Sequence, residues 1–318
     1  MEVGPKLFLK SNTLVHFSDL KGSSQISNSS LTDNTRMAKI DSLSNLSQRA
    51  NINIKSTTNA DVVIYEDHRT ILNVLYFLKT QQQLEFPFDL ILFDNHDDGC
   101  TPSETALNKI NKFNQSSPSL QEFWSFTEFD LNGLDDDWIK AGMELNLINN
   151  VFLFNATETN INFLEHYETK CFGTKKYYNL GTLWNALSFR GCLYDAVKFD
   201  QYGELWEDFG WVYNREDGRF DFAQDRQFLL DFDLDCFSMS ILDKRVAIPK
   251  GLLIEKFKAQ HIHQNHYYYS WENFVRELIE RSVITTICFE NVFCGGYRET
   301  FKIFETIDYL FFDNQLGK

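Results

Sequence analysis

The sequence predicts an α/β fold built around a mostly parallel sheet, on three observations. The 318-residue chain is 43% hydrophobic, with 30 Phe, 13 Tyr and 6 Trp, enough to fill a large core and too apolar for wholesale disorder. From Asp61 onward, short apolar runs alternate with amphipathic stretches, the pattern of βα units packed on a sheet. Three of the apolar runs lead directly into acidic residues and histidine. Ligands gather at such carboxyl ends of strands in an open α/β sheet.

The elements follow in chain order. LFLK (7–10) and LVHF (14–17) can pair as short strands, but residues 11–60 hold 11 Ser in 50 positions and only MAKIDSLSNL hints at a helix. Residues 1–60 therefore read as a polar N-terminal arm, partly ordered, and 61–318 as the α/β domain. VVIYE (62–66) is a buried strand, followed by a helix over 70–81, and FDLILF (88–93) is a second strand. A helix over 104–113 has Ser103 or Thr101 as its cap and Pro102 in its first turn. DDDWIKAGMELNLI (135–148) opens on carboxylates, which favour a helix N-terminus, and leads into the strand VFLF (151–154). NFLEHYETK, which contains His166, reads as helical. FLLDFDLD (228–235) and VITTICFE (283–290) are two further strands, and ETFKIFETIDYLF (299–311) is a closing helix that packs on the sheet.

The 30 Lys and Arg against 45 Asp and Glu give a net charge of −15. Such a surface repels phosphate backbones, which argues against nucleic acid, and suits a cationic substrate or bound metal ions. The N-terminus lacks the apolar segment of a signal peptide, and no run reaches the ~18–20 apolar residues that span a bilayer. The six cysteines (100, 171, 192, 236, 288, 294) form no C-x-x-C pair, as expected of reduced thiols in a cytoplasmic protein.

The chemistry lies at the strand ends. Asp67-His68 follows VVIYE, Asp94-Asn95-His96-Asp97-Asp98 follows FDLILF, and Asp233-Leu234-Asp235 ends FLLDFDLD. In an extended segment, alternation points Asp94, His96 and Asp98 one way, and sets Asp233 and Asp235 on a common face. Taken singly, Asp67-His68 or a D-x-D pair is commonplace; the three clusters together indicate a metal site. These ligands are too many for one tetrahedral zinc. They fit two divalent ions bridged by shared aspartates, with Mn²⁺ favoured by the hardness of the donors and other divalent ions open. Burying so many carboxylates without cations costs several kcal/mol per charge.

The set resembles the arginase–deacetylase fold, and within it the ureohydrolases, in which a His after one strand precedes D-x-H-x-D, then D-x-D, then a late Glu. The resemblance covers about residues 61–312 and implies a three-layer αβα architecture. It also implies that His68, Asp94, Asp98 and Asp233 hold one metal, and that Asp94, His96, Asp233 and Asp235 hold the other. Glu290, which ends VITTICFE, matches the Glu that grips a guanidinium. The wording departs from ordinary arginases, which carry Gly-Gly-Asp-His where this chain has Tyr65-Glu66-Asp67-His68, and which follow D-x-D with Asp-Pro where this chain has Cys236-Phe237. The strings VVIYEDH, FDNHDD, DWIKAGMELNLINNVFLF and DFDLDCFS look more like a divergent branch that includes the peptide arginases of ribosomal peptide maturation. That implies conversion of arginine to ornithine in a precursor peptide, with two Mn²⁺, Asp98 orienting the attacking hydroxide and Glu290 fixing the cation. The alternatives are a ureohydrolase of a free guanidine such as arginine or agmatine, and a non-catalytic, metal-stabilised binding module. A deacetylase is disfavoured, because that branch uses one zinc and lacks the counterparts of Asp98 and Asp235.

Three other stretches have ordinary readings. His261, His263 and His266 fit no regular face and read as a solvated segment, and His166 has no motif to support a proton-shuttling role. The ELWEDFGWVYN stretch, with Trp206, Glu207, Asp208, Trp211 and Tyr213, reads as a half-buried loop that could alternatively wall a cation site. Cys294-Gly295-Gly296-Tyr297-Arg298 reads as a turn at the pocket mouth.

Overall fold

In the computed structural model the described residues are 52–58, 60–81, 86–155, 163–179, 208, 211–214, 219–222, 227–259, 262–263, 266–267 and 270–317. LFLK, LVHF, MAKIDSLSNL and nearly all of the arm lie outside them, as do Trp206, Glu207, His261 and the side chains of Trp211, Tyr213, His263 and His266.

The strands are β1 (Asn53–Ser56), β2 (Asp61–Tyr65), β3 (Phe88–Asp94), β4 (Ile148–Asn155), β5 (Phe163–Thr169), β6 (Gly173–Asn179), β7 (Trp211–Asn214), β8 (Arg219–Phe222), β9 (Phe228–Asp233), β10 (Ser238–Ile241), β11 (Lys244–Ala247), β12 (Ile262–His263), β13 (His266–Tyr267) and β14 (Ile284–Cys288). Eight of them form one sheet in the order β1-β2-β14-β9-β3-β4-β6-β5. The six central strands run parallel, and β1 and β5 close the two edges antiparallel. β1 precedes Asp61, so the sheet begins within residues that composition alone groups with the arm. The remaining strands pair as the small hairpins β7–β8, β10–β11 and β12–β13.

Every residue of β2, β3, β9 and β14 is buried, as continuous apolar runs demand of a sheet covered on both faces. Alternation divides them cleanly. Val63, Tyr65, Leu90, Leu92 and Leu229 pack against one helical layer: α1 (Thr70–Thr80), α2 (Glu104–Gln115), α3 (Leu120–Phe129) and α4 (Trp138–Glu144). Val62, Ile64, Ile91, Phe93, Leu230 and Phe232 pack against the other: α5 (Lys250–Lys258), α6 (Trp271–Arg281) and α7 (Tyr297–Phe311). The architecture is α/β: a mostly parallel eight-stranded sheet flanked by helices, compatible with a three-layer αβα arrangement.

Four local expectations are corrected. His166 stands exposed on the edge strand β5, paired with Lys176, because NFLEHYETK forms a hairpin with the strand that follows. Ser103 alone caps α2, its Oγ accepting from Ala106 N at 3.1 Å, which leaves Pro102 outside the first turn. The carboxylates of Asp135, Asp136 and Asp137 precede α4, which begins at Trp138, rather than lying in its first turn, and that of Asp137 turns back to accept from Asn132 N at 3.1 and 3.2 Å. β9 ends at Asp233, and Leu234–Phe237 curls into a 3-10 turn, so strand alternation is not what brings Asp235 inward. No helix among the described residues is long and apolar enough to cross a membrane.

Candidate metal centre

The sheet order makes β2, β14, β9 and β3 consecutive neighbours, all parallel, so their carboxyl ends share one edge. Register sets the depth: Cys288 pairs with both Tyr65 and Asp233, and Phe93 with Phe232, which brings Asp94 level with Asp233. Onto this edge the structure gathers His68, Asp94, His96, Asp98, Asp233, Asp235 and Glu290.

His68, on the turn after β2, is fully buried. Its Nδ1 lies 3.0 Å from Asp98 Oδ2, 3.5 Å from Asp94 Oδ2 and from Asp233 Oδ2, and 3.9 Å from Glu290 Oε1. His96 sits nearer solvent, its Nδ1 3.1 Å from Asp235 Oδ2 and 3.9 Å from Asp94 Oδ1. Candidate ligand atoms lie within 4.8 Å of one another in His68–Asp94–Asp98, in Asp94–His96–Asp235 and in Asp233–Asp235–Glu290. Asp94 thus belongs to a His68 group and to a His96 group.

The carboxylates are held in a repeated way. Asp94 Oδ1 accepts from His96 N at 2.7 Å, Asp233 Oδ1 from Asp235 N at 3.0 Å, and Asp235 Oδ1 from Asn95 N at 3.2 Å. In each case the other oxygen, Oδ2, is buried, and like His68 Nδ1 it hydrogen-bonds to no described residue. Backbone amides fix one oxygen and leave its twin facing the cluster, the arrangement that a cation requires. His68 and the acidic groups around it could hold a metal ion.

Electrostatics agree. Burial first, then the neighbouring Asp98, drives Asp94 well above the ordinary carboxylate range, and burial followed by Asp235 does the same to Asp233. Burial and the like charges of Asp98 and Asp235 raise Glu290 to about 7, against a lowering pull from His68. Burial alone would lower His68, but the carboxylates, Asp231 foremost, reverse this and hold it well above the usual value. Asp235 is the main cause of a raised His96. Without cations, then, the cluster favours extra protons.

Two of the seven residues have unusual backbones. Asp98 (φ 42) and Glu290 (φ 33) both lie in the left-handed region, which costs a non-glycine residue on the order of 1–3 kcal/mol. This turn, rather than extended alternation, aims Asp98 inward. The loop carrying it is pinned by Tyr177 OH donating to the Asp97 carbonyl and by Cys100 N donating to Asp136 O at 2.8 Å.

Sequence reasoning missed two participants. Asp231 lies in the middle of β9 with its side chain on the same face as Asp233, and accepts a 2.6 Å hydrogen bond from His68 Nε2. Trp138, the first residue of α4, donates from Nε1 to Asp98 Oδ2 at 2.7 Å. The available signal for Asp231 was its two-residue spacing from Asp233, which puts both on one face of a strand. At the mouth, Glu66 is exposed and its Oε1 accepts from Asn291 Nδ2 at 3.5 Å and Tyr297 OH at 3.4 Å. Val292, Phe293 and Tyr297 are exposed alongside, and the Phe293 ring meets His96 edge-on at 5.2 Å. Of the acidic-aromatic stretch, Asp208 is described; it is bound by Lys176 Nζ at 2.8 Å and by Tyr178 OH.

No protein-family model matches the chain, and no curated protein matches it.

Proposed function

We propose that the protein is a binuclear manganese hydrolase that converts peptide-bound arginine to ornithine and releases urea. The observation that carries this reading is the set of buried ligand atoms on His68, Asp94, Asp233 and Asp235 that no described residue hydrogen-bonds, in overlapping groups: His68 and His96 each share Asp94, and Asp233 and Asp235 lie with Glu290. His68, Asp94, Asp98 and Asp233 would hold one ion, and Asp94, His96, Asp233 and Asp235 the other. When bound, such a pair of divalent ions supplies Lewis acidity and lowers the pKa of water toward neutrality.

The remaining work falls to the chain's own groups. The Glu290 carboxylate fixes the guanidinium by charge and hydrogen bonding, with its central carbon toward the cluster. Asp98 orients the attacking water and takes its proton. The water oxygen bonds to the guanidinium carbon, the bond from that carbon to the side-chain nitrogen breaks, and that nitrogen receives both protons of the water, one by way of Asp98, and leaves as the ornithine ammonium beside neutral urea. Two features support a peptide rather than a free amino acid: the acidic charge of the chain, and the exposed mouth where Glu66 stands among Val292, Phe293 and Tyr297.

Mass spectrometry of an arginine-containing peptide, and separately of free arginine, each incubated with the Mn²⁺-loaded protein, tests the proposal. Loss of CH2N2 from the peptide with release of urea is the expected result. Turnover of free arginine alone would overturn the peptide assignment, and no turnover of any guanidine would overturn the hydrolase.

A further inference from the structure

We infer that Trp138 and Asp231 are positioning residues that set the metal affinity of the cluster, Trp138 by holding Asp98 and Asp231 by fixing the tautomer of His68. The inference rests on the metal-centre reading, but not on the identity of the substrate.

Trp138 is fully buried, where any large apolar ring would fill the space. What an indole adds is one N–H, and that N–H is directed at Asp98 Oδ2, the oxygen 3.0 Å from His68 Nδ1. The same ring lies 4.6 Å from the His68 imidazole, tilted by 39°. Trp138 therefore touches two candidate ligands at once. The left-handed backbone turns Asp98 inward, and the indole N–H then holds one oxygen of its carboxylate in place.

Asp231 is also fully buried, and it accepts from three side chains. His68 Nε2 donates to Oδ2 at 2.6 Å, Tyr65 OH donates to Oδ1 at 2.9 Å, and Thr286 Oγ1 donates to the same Oδ1. An ionised carboxylate has only acceptors, so in the neutral ring that would bind a metal the His68 proton must sit on Nε2. Nδ1 then carries the lone pair and faces Asp94, Asp98 and Asp233. Such a carboxylate–histidine pair orients the ring and raises the basicity of the ligating nitrogen. An asparagine at 231 offers one acceptor oxygen to three donors. If its NH2 faces His68, the ring switches tautomer and Nδ1 is blocked.

The test is calorimetric titration of the full-length, metal-free protein with Mn²⁺ alone, comparing wild type, Trp138→Phe and Asp231→Asn. Each variant is expected to weaken Mn²⁺ binding about 10–100-fold, the usual effect of losing such a partner. In an Asp98→Ala background, Trp138→Phe should weaken it no further. A merely structural role would lower the melting temperature and leave Mn²⁺ affinity within about threefold of wild type, which would overturn the inference. A reading on wild type needs no variant: paramagnetic Mn²⁺ should quench part of the tryptophan emission along the calorimetric binding curve, and unchanged emission would overturn the placement of Trp138. If every titration behaves as expected but no urea is released, the proposed reaction fails and the positioning role stands.

Discussion

Raising the pH of the metal-free protein from about 5 to about 8 will destabilise it, and Mn²⁺ will restore the loss. Glu290 supplies the magnitude. Its ordinary value is 4.5 and burial with like charges lifts it to about 7 in the fold. A carboxylate whose folded value is raised stabilises the native state fully below its unfolded value, and that contribution disappears as pH climbs through the folded one. At about 1.4 kcal/mol per pH unit, the gap amounts to ~3 kcal/mol, or roughly 6–12 °C of melting temperature for a domain of this size. Asp94, Asp233, His68 and His96 are all raised, so each adds to the change with the same sign. A cation bound by the cluster stabilises the ionised carboxylates and the unprotonated imidazoles, so its effect must be larger at high pH. Asp135, lifted to about 7 mainly by burial, contributes a slope of the same sign. Glu290→Gln separates the two contributions by removing only the Glu290 share. The assay is differential scanning calorimetry in chelator and in Mn²⁺ at both pH values. Melting temperatures in chelator that do not fall with pH, or an Mn²⁺ effect no larger at pH 8 than at pH 5, would refute the reasoning.

Further outcomes follow from the same geometry. His96→Ala and Asp235→Ala should abolish urea release while leaving far-UV circular dichroism essentially unchanged, since both side chains act at the end of the sheet rather than in its core; normal turnover by either would remove it from the ligand set. Glu290→Gln should keep Mn²⁺ binding, measured by calorimetry, and lose most turnover, because an amide cannot neutralise a guanidinium. Gly295→Ala should lower the melting temperature and activity together: the residue has φ 95, and a Cβ there would collide with the Arg245 carbonyl oxygen, so the backbone five residues beyond Glu290 must move. Phe293→Ala, at the rim, should raise the KM for an arginine peptide by severalfold with kcat and Mn²⁺ affinity nearly unchanged, read by steady-state urea assays.

Much of the site was legible because acidic and histidine residues directly after short, β-branched or aromatic apolar runs read as strand-end residues, and His68, Asp94, Asp233 and Glu290 announce themselves that way. Their neighbours were legible as members of the set but not in their geometry. Extended alternation was the natural reading of Asp98 and Asp235, yet the chain bends after Asp94 and after Asp233, and the two carboxylates enter the cluster from a left-handed residue and a 3-10 turn. His166 shows the reverse failure. An apolar spacing compatible with a helix belongs to an edge hairpin, where pairing with β6 outweighs local periodicity.

By itself the sequence determined which residues face a common side of each strand, because side-chain alternation is a local property of the backbone. It determined the donor chemistry as well, because charge and ligand type travel with the residue. Only the tertiary structure decided that β14 and β9 lie between β2 and β3, and so that four separated segments supply one cluster. It alone paired Asp231 with His68, 163 residues apart, and Trp138 with Asp98, 40 apart. Those contacts depend on sheet order and helix docking, which arise from long-range burial of apolar surface and leave no periodic trace in the chain.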